Sequence, residues 1–505
     1  MTRRASGILL HPTSLPGPYG IGDLGPSSRQ FLSWLQEAGQ TTWQMLPLVP
    51  AGAGHSPYDG SSAFAGNPQL ISPQDLEEGG LLSASDLAGV PLFDNESVQY
   101  DMAGEWKSRL LRLAWNRFRQ SNPNRHRELF EDWATRPEQG PWLEDWAMFA
   151  SLKAHFDGKP WSEWTPDLRD REAAAMASVR QELEDDIGYH RFVQYLFADQ
   201  WSRLRETARQ RSVRLLGDMP FYVALDSADV WAHRHLFKVD GEGQPTFVAG
   251  VPPDYFSETG QRWGNPVFRW DSHEEDGYRW WIERVGCSLA TYDSIRIDHF
   301  RAFADYWEID ASEPTAVNGH WTPGPGVHLF ERLREVLGEL PLVAEDLGHI
   351  TSEVRELKSN LGLPGMKVLQ FGFDSPDSEH LPHNFTRNTV AYTGTHDNDT
   401  SVGWLEELQP EKRQRVLDYV GGGGNRAHWD LIRSVSTSVA DLSIFPMQDV
   451  LGLGGRHRMN TPSSAEGNWA WRLQPEMADD PTAAQLRRIT VLAGRLETES
   501  MGPPA

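Results

Sequence analysis

The chain reads as an α/β protein built on repeated strand–helix units, and three observations carry that expectation. Eight short apolar runs recur along the 505 residues, each ending in Pro, Gly, Asp or His. Amphipathic helical patterns lie between several of them. Four of these runs have a carboxylic acid, Asp218, Asp298, Glu345 or Asp397, within four residues of their C-terminal ends. Alternating strand and helix patterns select a parallel sheet, and a count of eight predicts a closed (β/α)8 barrel of the TIM type, carrying helical and loop insertions.

The strand-like runs are 7–10, 42–49, 213–216, 294–297, 342–344, 367–373, 390–393 and 442–445. Each is short and apolar, as a strand buried on both faces requires. Residues 28–38 repeat at helical spacing, with Phe31, Leu32, Trp34 and Leu35 on one side. Residues 328–337 do the same with Leu329, Leu333 and Val336, and 353–361 form a third such stretch. Gly39, Gly338 and Gly362 stand where these helices stop, as C-terminal caps. The spacing of the strands is uneven. Residues 70–210 read as a mostly helical insertion, whose eight tryptophans between Trp106 and Trp201 suit packing better than ligand binding. Residues 224–290 read as a second insertion, with a Gly- and Pro-rich lid loop at 247–266. The whole chain, 1–505, then forms one catalytic barrel.

Composition excludes several partners. The net charge of −24 disfavours nucleic acid and anionic lipid. A single cysteine, Cys287, leaves no internal disulfide and no Cys-rich metal site. Residues 1–20 lack the apolar core of a signal peptide, and no stretch approaches the roughly 18 apolar residues of a membrane span. The expectation is a cytoplasmic protein, a monomer or weak oligomer, needing no metal and no cofactor. Gly20, Gly22 and Gly25 match a dinucleotide-loop spacing, but three prolines separate them from the preceding strand and residues 40–49 hold no acid for a ribose. His233 and His235 stand without the further ligands of a metal site.

The informative residues are the acids at strand ends. Asp218 follows RLLG, Asp298 follows SIRI, Glu345 follows LVA and Asp397 follows AYTGTH. In a (β/α)8 barrel that rim carries the active site, and an acid at a buried strand terminus is costly unless paired or used. Paired carboxylates suit glycosidic bond cleavage, where one carboxyl protonates the leaving oxygen and a second attacks or stabilises the anomeric carbon. Arg296 lies two residues before Asp298, on the same strand face, and is expected to keep that aspartate ionised. Glu345 has no basic neighbour in sequence and suits the acid role. His299 and His396 flank aspartates and are candidates to bond sugar hydroxyls. Spacing leaves retaining and inverting chemistry both open.

At these residues the chain resembles the amylomaltase, or 4-α-glucanotransferase, family of the α-amylase clan. The carrying segments include SPYDGSSAFAGNP (56–68), GDMPFYV (217–223), PPDYFSETGQRWGNP (252–266), SIRIDHFRAF (294–303), VAEDLG (343–348), TGTHDNDT (393–400) and GNWAWR (467–472). The resemblance implies a (β/α)8 fold and transfer of α-1,4-glucan segments between maltooligosaccharides or other α-glucans, through a covalent glucosyl-enzyme. It implies Asp298 as nucleophile, Glu345 as general acid/base and Asp397 as the third, substrate-holding carboxylate. Asp218, Arg296, His299 and His396 resemble donor-site contacts. Ser56, Tyr58, Asp374 and Asn468 resemble further glucan-binding positions, and Tyr255, Phe256, Gln261 and Trp263 resemble the family's lid. Where some members carry a tyrosine of a second glucan site, this chain has Ala53 and Gly54, with Tyr100 remaining. The same three acids also serve a retaining α-glucan hydrolase, with water as acceptor. A non-catalytic glucan-binding protein would not need them.

Overall fold

The computed structural model describes residues 4–120, 125–253, 257–422, 426–462, 464 and 466–496. Its strands, in chain order, are β1 (Ala5–Leu9), β2 (Thr42–Gln44), β3 (Arg214–Met219), β4 (Phe247–Val251), β5 (Gln261–Pro266), β6 (Ser294–Ile297), β7 (Asp305–Asp310), β8 (His320–Pro323), β9 (Leu342–Ala344), β10 (Gly365–Val368), β11 (Thr389–Tyr392) and β12 (Leu442–Pro446). Eight of them close a parallel barrel in the order β1-β12-β11-β10-β9-β6-β3-β2. Each of these eight overlaps one of the eight apolar runs. Two runs overshoot. The second strand stops at Gln44, shortly before Pro47, which has no N–H for a ladder. The sixth ends at Val368 and passes into a short 3-10 turn at Leu369–Phe371.

The barrel strands are buried on both faces, as helix-covered parallel strands are. Helices Pro26–Glu37, Gly326–Leu337 and Ser352–Leu361 cover three of the strand crossings. The last ends at Gly362, whose φ of 68° admits glycine at little cost while its N–H bonds the carbonyls of Lys358 and Ser359.

Between β2 and β3 the chain is mainly helical: Tyr100–Gln120, Arg125–Ala134, Gly140–His155, Ala173–Glu182 and Glu184–Gln210 are its longer helices. Trp106, Trp115, Trp146, Trp161, Trp164 and Trp201 are buried there, and Trp133 and Trp142 pack partly buried against the same core. The long last helix also braces the loop that leads to the rim. Gln194 exchanges hydrogen bonds with both backbone groups of Gly66, and Gln200 does the same with Ser72.

The segment 247–266 differs from the loop that its glycines and prolines suggest. β4 and β5 are two strands of a four-stranded antiparallel sheet, order β5-β4-β7-β8. The partner that makes β4 a strand, β7, comes after the sixth segment of chain, beyond β6. Local composition holds no trace of such a pairing. Among the described residues no helix is long and apolar enough to cross a membrane.

Candidate active site

The four strand-end acids meet at one end of the barrel, and the register between strands explains how. Asp218 of β3 and Arg296 of β6 are direct partners in the parallel ladder, so their side chains share a face. Asp298, two residues on, returns to that face. The Arg296 guanidinium donates to both Asp218 oxygens at 2.8 and 2.7 Å and to Asp298 Oδ1 at 2.8 Å. Tyr58 donates its hydroxyl to Asp218 Oδ2 at 2.7 Å. Asp218 is thereby saturated, and its side chain is 0% exposed.

Glu345 is held by backbone alone. Its carboxyl accepts the N–H of His299 at 2.8 Å and that of Leu347 at 2.9 Å. His299 reaches it from a left-handed conformation, φ 52° and ψ 45°, uncommon for a residue with a Cβ. Asp397 is held by side chains: Asn460 Nδ2 donates at 2.7 Å, and His396 Nε2 lies 3.3 Å from its other oxygen.

These settings separate the acids. Burial, helped by the charge of Asp298, raises Glu345 to about 7, against the pull of Arg296 and of the two N–H donors. Burial also lifts Asp298, with Asp218 and Asp397 adding to it, while Arg296 opposes. The expectation that Arg296 keeps Asp298 ionised therefore holds only in part: its pull lowers the carboxyl but does not outweigh burial. Between the two acids the proton still favours Glu345, because only Asp298 receives a guanidinium hydrogen bond directly. Burial works against ionised Asp397 as well, yet His396 and Asn460 outweigh it and hold that carboxyl below its ordinary range. In return, and despite its own burial, His396 is raised by Asp397. Asp397 opens into the cleft, with 46% of its side chain exposed.

Asp298 and Asp397 line a cleft of about 300 Å³, whose walls also include Ser56, Tyr58, Gln261, Trp263, His299 and His396. Trp263 stands edge-on to His299, ring centroids 4.9 Å apart, and donates its indole N–H to Gln261 at 3.1 Å. A family model for 4-alpha-glucanotransferase matches residues 10–478. The chain belongs to the 4-alpha-glucanotransferase family. A 4-alpha-glucanotransferase of Thermus thermophilus is 47% identical over 502 residues, covering 98% of this chain and 99% of that one. One of Aquifex aeolicus is 46% identical, covering 94% and 96%. The structure of an amylomaltase from Streptococcus agalactiae in complex with acarbose superposes with a TM-score of 0.95 at 40% identity, covering 98% of this chain and all of that one. Glucan transfer is thus the activity of this glucanotransferase chain, and α-glucan its substrate class.

Most residues named from the sequence line the glucanotransferase cleft or brace it. Asp374 does neither: its side chain is 79% exposed and pairs with Lys412 at 2.6 Å, because the turn after β10 carries it outward. Asn468 shapes a loop, accepting from the N–H of Thr461 and donating to the carbonyl of Ser464. Tyr255 and Phe256 lie outside the described residues. Tyr100 is buried under the His55 ring, centroids 4.4 Å apart, with its hydroxyl on the carbonyl of Trp469.

Sequence reasoning missed Asn460, Trp469, Tyr222 and Asn265, all of which line the cleft. Trp469 completes an aromatic cluster with Tyr58 and His396 at 5.8 and 6.0 Å. Its motif, GNWAWR, was in view. For Asn460, in a plain loop far from any strand end, no local signal existed. Among the described residues no group of three or more His, Cys, Asp or Glu is placed to hold a metal ion.

Proposed function

We propose that the cleft transfers α-1,4-glucan segments by a retaining double displacement, with Asp298 as nucleophile and Glu345 as general acid/base. In the first step an Asp298 oxygen attacks the anomeric carbon. The bond to the leaving chain breaks, and its oxygen takes the proton of Glu345. In the second, Glu345 takes the proton from the 4-hydroxyl of an acceptor glucan, which attacks the same carbon and releases Asp298. One observation carries this reading: two neighbouring carboxyls sit in opposed environments, Asp298 bonded by Arg296 and Glu345 lifted to about 7 without a cation of its own. Asp397, kept ionised by His396 and Asn460, is suited to bind ring hydroxyls and to face the positive charge that develops at the anomeric carbon.

In this reading Asp218, Arg296, Tyr58, Ser56, His299 and His396 shape the donor site, and Gln261 and Trp263 help exclude water so that a sugar hydroxyl wins. Tyr255, Phe256, Asn468 and Asp374 belong to the same expectation, with Asp374 the least supported by its exposure. Maltooligosaccharides serve as donors and acceptors. The chain works without cofactor or nucleic acid, in the cytoplasm, as a monomer or weak oligomer.

Incubation with maltotriose tests the transfer: glucose together with a ladder of longer maltooligosaccharides is expected, and glucose with maltose alone would point to the hydrolase. A 5-fluoro-α-glucosyl fluoride tests the displacement. It should leave a glycosyl adduct on the peptide holding Asp298, and an unmodified peptide after complete inactivation would exclude that nucleophile.

A further inference from the structure

Away from the cleft, four arginines converge on one depression. It has a volume of about 560 Å³ and is lined by Arg169, Arg171, Arg234, Arg269 and His235, together with Asp170 and Asp240. Four arginines less those two aspartates and Asp145, which pairs with Arg171 from behind, leave a local excess of one positive charge, in a chain whose net charge is −24. Such a reversal of sign marks an anion site when the acids nearby are already engaged.

They are. Asp170 is shared: Arg169 bonds its two oxygens at 2.9 and 3.1 Å, and Arg234 reaches it at 2.6 Å. Asp240 accepts the backbone N–H groups of Glu242 and Gln244, both at 2.9 Å. Arg171 has its partner behind it, Asp145 at 2.6 Å. Glu242 lies near enough to act on Arg169 but lines no part of the depression. Arg269 has no carboxylate partner among the described residues. Its hydrogen bond is a 3.4 Å contact to the carbonyl of Phe237.

The guanidinium groups are also held in place. Arg171 lies 4.3 Å from the centroid of the Trp231 ring, and Arg234 lies 5.5 Å from that of Trp161, both rings being buried. Arg234 also bonds the carbonyls of Asp240 and Gly241 at 3.0 and 2.8 Å, tying one wall to the other. Arg171 adopts φ 56° just past the C-cap of the helix Pro166–Arg169, where the N–H of Glu172 bonds the carbonyl of Asp167 at 2.8 Å, so the helix end fixes its backbone.

Fixed, under-neutralised arginines are the chemistry that recognises phosphate. The depression is shallow and open, so a charged group can reach the guanidiniums from solvent. We propose that it binds a phosphate monoester, with Arg269 as the charge that holds the phosphate and Arg171, already paired with Asp145, contributing to it. The ester has two possible carriers, a free sugar phosphate or a phosphorylated glucan chain.

Calorimetric titration of the whole protein with glucose 6-phosphate, with glucose as the neutral control, tests the site. One ligand per chain is expected, with affinity falling as salt rises and glucose giving no heat. Arg269→Gln breaks no ion pair and should weaken the phosphate ester at least about tenfold, as should Arg171→Gln. Both variants should keep disproportionating maltotriose, which shows that they fold. Electrophoresis through phosphorylated against dephosphorylated amylopectin identifies the carrier: selective retardation by the phosphorylated gel assigns the ester to the glucan, and its absence assigns it to a free sugar. Glucose 6-phosphate binding no tighter than glucose, or equally tight in both variants, would overturn the proposal.

Discussion

Arg296 bridges Asp218 and Asp298, with 2.7 Å to the first carboxylate and 2.8 Å to the second. One guanidinium therefore both neutralises a fully buried acid and bonds the proposed nucleophile. Arg296→Met would strand the Asp218 charge, and breaking a buried pair in this way costs about 3–5 kcal/mol. Arg296→Lys keeps the charge but loses the planar fork. It is expected to fold, with kcat reduced by about two orders of magnitude. Thermal melts and maltotriose kinetics of the two variants separate the effects. A Lys variant as active as the wild type would remove Arg296 from the chemistry.

The pH dependence follows from Glu345. The first step needs its protonated form, which is lost as pH rises through about 7, so kcat/KM for maltotriose is expected to fall on the alkaline side with a midpoint near 7. Burial lifts Asp298 too, which places the acid limb above the ordinary aspartate value. With a maltosyl fluoride donor, whose leaving group needs no proton, the alkaline limb of the first step should disappear. If it persists, Glu345 is not the acid.

The same lift is a stability cost. A carboxyl raised in the folded state contributes stability that is full below its unfolded pKa and is lost as pH climbs through the folded one. Glu345→Gln removes the ionisation. The inactive variant should be more stable than the wild type at pH 8, by on the order of 1–3 kcal/mol, and the gap should close toward pH 5. Denaturant unfolding at the two pH values measures it.

His299 has two separable tasks, because its backbone N–H reaches Glu345 while its ring meets Trp263. His299→Asn tolerates the left-handed backbone and should lose mainly the ring, raising KM. His299→Val cannot hold φ 52° comfortably. It should lose a further ~1–2 kcal/mol of stability and shift the alkaline limb of the pH profile through Glu345.

Trp263 is 40% exposed at the cleft. Trp263→Ala should admit water and raise the share of glucose released by hydrolysis, read from the maltotriose product ladder, with little change in stability. An unchanged ratio would place acceptor selection elsewhere, toward the residues at 252–260.

Much of the architecture was legible locally. The eight runs became the eight barrel strands because a strand buried on both faces must be apolar throughout, a demand that shows in the sequence of each run. The strand-end acids were legible for the same reason, since Asp218, Asp298 and Glu345 interrupt or directly follow such runs. The antiparallel sheet was not, because β4 is a strand only through β7. Asn460 and Trp469 were not either. They reach Asp397 and Tyr58 from the far end of the chain, and nothing in their own neighbourhood records the contact.

The barrel, the acids on its rim and the family are readable from the chain alone, because each rests on residue type and spacing along a short stretch. What each acid can do emerges from the fold. Ionisation depends on burial and on partners within a few ångströms, and here those partners come from other segments of the chain: Arg296 for Asp218, the His299 amide for Glu345, Asn460 for Asp397. The fold also decided that Asp374, which the resemblance places among the glucan-binding positions, turns outward to Lys412, and that four arginines from three segments meet in one place.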